Sequence, residues 1–173
     1  GRFEEIENKD YYVFMLLQRS FDWMREVDPI QPLTAAPWIG DWSDTSNLSN
    51  FNEFMLKHSD IVSFHGYDDP ETFKEEVEWL KVWGRPMVCT EYMARKTGNT
   101  FENLLPFMKE NNIGAYNWGF VSGKSQTIYP WDSWQKEYTS EPEMWFHDIL
   151  REDGTPYDSS ETQLIRRLTG AAE

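Results

Sequence analysis

Cysteine is almost absent from this chain of 173 residues. Cys89 stands alone, so no disulfide can form within it, and cysteine count does not decide a redox compartment. Positive charge is scarce as well: 16 Lys and Arg face 30 Asp and Glu, for a formal charge of -14. A polyanion has no favourable electrostatic route to nucleic acid or to an anionic membrane surface, which argues against both as partners. No apolar run approaches the roughly 18 residues that a membrane-spanning helix requires. Residues 1–10 are charged and lack the apolar stretch of a signal peptide. Neither GxGxxG nor GxxxxGKS/T occurs, so no nucleotide-phosphate loop is present. There is no GxSxG elbow for a hydrolase triad. His58, His65 and His147 show no HxxxH spacing and no CxxC accompanies them, so no metal site is expected.

Aromatic residues are plentiful, at 16% of the chain with nine Trp. Such rings either fill a core or offer flat faces to a ligand. The order of elements sorts them. Val13, Leu16, Leu17, Phe21 and Met24 recur at helical spacing between Asn8 and Val27, and Asp28-Pro29 stops that helix. Gln31 to Trp38 reads as a strand, Ser49 to Lys57 as a short helix, and Asp60 to Tyr67 as a second strand. Asp69-Pro70 opens a helix with an N-cap and a proline at its first position, and Phe73, Val77 and Leu80 form its inner face. A third strand follows at Pro86 to Tyr92, a helix at about Asn99 to Asn111 carrying Pro106, and a fourth strand at Gly114 to Phe120. The long loop from Val121 to Glu143 is crowded with Tyr129, Trp131, Trp134 and Tyr138, and a last helix spans about Ser159 to Leu168. Alternation of this kind predicts an α/β fold with four parallel strands and crossover helices. Sites in such folds lie at the carboxyl ends of the strands.

Three strand ends carry chemistry. The apolar run Pro86-Met87-Val88-Cys89-Thr90 ends in Glu91, where a carboxylate has no place as packing. Glu91 could serve as nucleophile, general base or ligand, or could merely pair with Arg85 or Arg95. His65 and Tyr67 lie two residues apart at the end of the second strand, on one face, where they can hydrogen-bond a carboxylate or a substrate hydroxyl. Trp118 shares a face with Tyr116, and Gly119 beside it removes bulk where the chain would meet a ligand. Asn117 takes the other face, and Trp38 ends the first strand as a second aromatic platform. A metal-dependent hydrolase built on His65, Asp68 and Glu91 is a competing arrangement of the same residues.

In their order and spacing these motifs resemble the carboxyl-terminal half of clan A glycoside hydrolases, nearest to the family five and family two-like (β/α)8 barrels. Pro86 to Tyr92 is similar to the seventh barrel strand, His65-Gly66-Tyr67 to the sixth-strand motif, and Ala115-Tyr116-Asn117-Trp118 to the eighth. The resemblance implies that residues 1–173 form one partial barrel domain, strands five to eight, with the first half upstream. It implies a retaining glycosidase acting on β-linked poly- or oligosaccharide, with Glu91 as nucleophile. His65, Tyr67, Trp38, Asn117 and Trp118 are its candidate substrate-binding residues, and no cofactor or metal is needed. The family's acid/base lies in an Asn-Glu-Pro motif, which does not occur here. A fragment without it is expected to be inactive alone. Secretion or a periplasmic location follows by analogy. A non-catalytic carbohydrate-binding remnant is the alternative. Four strands cut from a closed barrel would leave two unpaired edges, and the isolated chain is expected to self-associate through them.

Overall fold

Local signals set most boundaries. In the computed structural model, which describes residues 7–171, five α-helices form: α1 (Lys9–Glu26), α2 (Asn50–His58), α3 (Pro70–Lys81), α4 (Phe101–Glu110) and α5 (Ser159–Thr169). Four of them begin on a side chain that accepts from an otherwise unpaired backbone N–H: Ser49 for α2, Asp69 for α3, Thr100 for α4 and Asp158 for α5. Pro106 lies inside α4 and does not end it.

The strands are β1 (Val62–His65), β2 (Met87–Glu91) and β3 (Gly114–Ala115), in the order β1-β2-β3 and all parallel. α3 connects β1 to β2 and α4 connects β2 to β3, as the alternation predicts. Phe64 and Cys89 point into a core that Phe73, Val77 and Leu80 of α3 share with Phe101, Leu104 and Met108 of α4. The Phe64 and Phe73 rings lie 5.8 Å apart. Against this layer no room is left at Gly66, where a Cβ would fall 2.5 Å from the Phe73 ring.

Of the four expected strands, the first does not form. Gln31 to Trp38 runs beside β1 without becoming part of the sheet. Asp60 N–H donates to Leu33 O and His65 N–H to Pro37 O, but the remaining ties are made by side chains. Asp60 Oδ2 accepts from Leu33 N–H, Ser59 Oγ accepts from Ala35 N–H, and the Thr34 and Ser63 hydroxyls meet at 2.7 Å. Pro32 and Pro37 have no N–H to give, which interrupts any ladder at both ends of the segment. The described sheet therefore has three strands. β3 is also shorter than expected: after Tyr116 N–H donates to Cys89 O the chain leaves β2.

The first helix turns inward only part of the apolar set that its spacing marks, Phe21 above all. Phe14 and Phe21 pack edge-on against Phe51 and Phe54 of α2, while Val13, Leu16 and Met24 are exposed. Behind β2, Arg95 makes a two-pronged ion pair with Glu161 of α5, at 2.7 and 2.6 Å, and also donates to Trp145 O and Asp148 O. This buried guanidinium fixes α5 and the 145–148 segment to the chain that leaves β2. No described helix is long and apolar enough to cross a membrane.

Candidate functional site

Strict alternation would put Glu91 on the same face as Met87 and Cys89, both buried in the core. It is not there, because the β1–β2 register slips. Phe64 pairs with Cys89, but His65 pairs with Glu91, so one extra residue of β2 is accommodated at Thr90. A bulge of this kind re-aims the side chain that follows it. It brings Glu91 alongside His65, and Glu91 is partly buried rather than core.

Two groups meet on one oxygen of this carboxylate. Tyr67 donates its hydroxyl to Glu91 Oε2 at 3.1 Å, and His65 Nδ1 lies 3.4 Å from the same atom. Burial, followed by the charge of Glu91, pushes the Tyr67 hydroxyl far above its ordinary range, so it remains a donor at any working pH. Gly66 N–H donates to Glu91 O, which ties the backbone of the two strand ends together as well. Neither arginine that might have neutralised Glu91 does so. Arg85 donates to Leu56 O and Ser59 O, and Arg95 is committed to Glu161.

Aromatic rings surround this centre. Trp38 lies 6.2 Å from the His65 ring and is 60% exposed. Trp131, from the short 3-10 turn Trp131–Trp134, meets Tyr67 edge-on at 5.1 Å and is 41% exposed. His147 packs against both, 5.8 Å from Tyr67 and 6.1 Å from Trp131. His147 Nδ1 lies 2.7 Å from Met93 O, an atom that can only accept, so Nδ1 carries the proton. Burial lowers the pKa of this ring, which keeps it neutral near pH 7.

Two residues are placed differently from the sequence-based expectation. The Asn117 amide nitrogen is taken up by backbone carbonyls. It donates to Gly119 O and His147 O, and its own Oδ1 is buried without a partner. Its role in the structure is to hold the chain after β3 against the 147–148 segment. Gly119 serves the same packing rather than a ligand: at φ +93° a Cβ there would lie 2.9 Å from Asp148 Oδ1 and 3.0 Å from His147 Cβ. Trp118 stands 52% exposed beyond β3 and has no aromatic partner among the described residues.

His147 and Trp131 are the neighbours of Tyr67 that spacing could not identify. They come from irregular segments far along the chain, and the one sequence signal was the crowding of aromatics, Trp131 among them, in the loop from Val121 to Glu143. The described residues hold no group of three His, Cys, Asp or Glu that could bind a metal ion. Asp68, the third member of the metal arrangement, lies beside Glu76 instead.

An acceptor-only carboxylate held by a neutral hydroxyl and a histidine, with apolar rings around it, can act as a nucleophile or base toward a polar ligand with flat hydrophobic faces. Comparison with known proteins adds no assignment: no protein-family model matches the chain, and no curated protein matches it.

Proposed function

We propose that this chain is the carboxyl-terminal half of a (β/α)8 retaining glycoside hydrolase, with Glu91 as nucleophile toward a β-linked sugar. The observation that carries the reading is the convergence of Tyr67 and His65 on one oxygen of Glu91 at the carboxyl end of the central strand. Both hold the carboxylate in one orientation and leave its other oxygen for attack. That oxygen adds to the anomeric carbon as the bond to the leaving oxygen breaks, and the leaving oxygen takes its proton from an acid on the missing half. The resulting glycosyl-enzyme is then cleaved by water, and retention calls for an acid about 5–5.5 Å from Glu91. Trp38, Trp118 and Trp131 supply exposed rings for sugar faces.

Uncovered apolar surface supports the half-barrel reading. An apolar hollow of about 430 Å³ lies between β3, α4 and α5, lined by Ala115, Phe101, Met108, Ile113 and Ile165. It is on the helix side of the sheet, away from Glu91, where a closed barrel would place the helix layer of its next strand. The outer face of α1 is likewise apolar and uncovered.

The test uses the gene product in full. Glu91→Gln is expected to lower hydrolysis of aryl β-glycosides by about a thousandfold or more. A glycoside carrying fluorine at C2 and a reactive leaving group should trap a sugar on the peptide containing Glu91. A variant within a few-fold of wild type would remove Glu91 from the role. The exposed tryptophans also fit a carbohydrate-binding remnant without catalysis. Oligosaccharide binding that survives Glu91→Ala, is lost with Trp118→Ala, and comes without turnover would favour that second reading.

A further inference from the structure

Behind the candidate site, on the opposite side of β1, sits a second carboxyl that the glycosidase reading does not use. Glu76 of α3 is 6% exposed, and among the described residues it enters no salt bridge. Its Oε2 is buried without a hydrogen-bond partner and lies 3.4 Å from where a Gly66 Cβ would be. Asn99, wholly buried, stands on the same segment: its amide donates to Gly66 O and Asp68 O, while its Oδ1 also lacks a partner. The carboxylate of Asp68 is within hydrogen-bonding range of Glu76. Two carboxyls and an amide oxygen are thus gathered around one turn of backbone. The two buried oxygens of this group, Glu76 Oε2 and Asn99 Oδ1, have no donor facing them among the described residues.

We infer that Glu76 is a positioning residue that carries a proton: its neutral carboxyl donates to Asp68 and holds His65-Gly66-Tyr67 in the shape that delivers both side chains to Glu91. The segment is tightly held from both sides. The Phe73 ring presses on Gly66 from α3, and Gly66 N–H reaches Glu91 O on β2. Ionising Glu76 would place a negative charge on a buried side chain beside Asp68 and against the backbone of Gly66, whose N–H reaches Glu91 O. Two titratable groups face Glu76 from the neighbouring elements. Asp68 comes from the turn before α3, and Cys89 comes from β2, its thiol held neutral by burial. Burial first, and Asp68 second, push the Glu76 pKa up to about 8. The inference holds whatever ligand the cleft takes.

The sign of the effect follows from linkage. A carboxyl of ordinary pKa in the unfolded chain and about 8 in the folded one binds more protons when folded across that interval. Its stabilisation is complete below the unfolded value and is lost as pH rises toward 8. Thermal unfolding of the chain should show a midpoint that falls by about 5 °C or more between pH 5 and 9 in wild type. Glu76→Gln, whose amide can still donate to Asp68, should flatten that fall. Amide exchange in residues 64–68, corrected for its intrinsic pH dependence, should lose protection above pH 8 in wild type and keep it in Glu76→Gln. Equal slopes and equal exchange in the two proteins would overturn the inference. Should Glu76→Gln not fold, infrared spectra of wild type decide: a protonated-carboxyl band present at pH 6 and gone at pH 9 is expected, and its absence at pH 6 would overturn the inference.

Discussion

The two sides of the sheet's ends are built on different terms. The layer behind β1 and β2 is closed: Phe64, Phe73, Val77, Leu104 and Met108 have essentially no exposed surface. The rims are open: Tyr12, Leu16 and Trp23 on α1, and Tyr116, Trp118 and Phe120 after β3, are all more than half exposed. Hydrophobic composition alone does not tell these groups apart, since both are rich in aromatic and aliphatic residues. What differs is whether a second element is there to cover them. Closed apolar surface is worth roughly 25 cal/mol per Å² removed from water, whereas the same side chains on a rim contribute to association instead.

The comparison can be sharpened by substitution. Phe73→Ala in the closed layer should cost about 3–5 kcal/mol in denaturant unfolding, because the cavity beside Gly66 and Phe64 has little to fill it. Arg95→Met should cost a similar amount, about 3–5 kcal/mol, because it strands the buried carboxylate of Glu161 and frees Trp145 O and Asp148 O. Since Arg95 anchors the segment that carries His147, its loss should also loosen the packing around Tyr67, read as a change in Trp131 fluorescence quenching. A smaller loss, about 1 kcal/mol, is expected for Ser49→Ala, which removes the cap of α2.

At the rims the expectation reverses. The triple change Tyr12→Ser, Leu16→Ser and Trp23→Ser should alter unfolding free energy by only about 0.5 kcal/mol per site while reducing self-association in sedimentation. A wild-type chain that is already a monodisperse monomer would break the contrast between closed layer and open rim. The acid limb is a further difference. Hydroxyl and backbone donors hold the capping carboxylates Asp69 and Asp158 below the ordinary Asp range. Their contribution is present above the unfolded Asp pKa and fades as pH drops through the lowered folded values, so it opposes Glu76, whose contribution fades as pH rises.

Much of the architecture was legible in advance. The start of α3 at Asp69 is written in that single residue and in Pro70 after it, and the inner face of α3 is written in its spacing, whereas the caps Thr100 and Asp158 came only with the structure. That His65 and Tyr67 share a face at one strand end and Glu91 closes the next was legible as well, although it took the register slip to bring them together. Less could be read where a residue's role depends on a partner far away in the chain. Asn117 was a candidate substrate-binding residue but spends its donors on Gly119 O and His147 O. Gly119 looked like space for a ligand but makes space for Asp148. Gln31 to Trp38 has the composition of a strand, yet two prolines keep it out of the ladder.

By itself, then, the amino-acid order determined the parallel α/β alternation, the capped start of α3 and the choice of Glu91, His65 and Tyr67 as candidates, because each of those signals is carried within a few neighbouring residues. Tertiary structure alone decided that Glu91 leaves the core face through a slip in the β1–β2 register, that Trp131 and His147 pack around Tyr67, and that Glu76 lies buried against Gly66. Register and burial belong to pairs of segments, and the energy that selects them exists only when both segments are in contact.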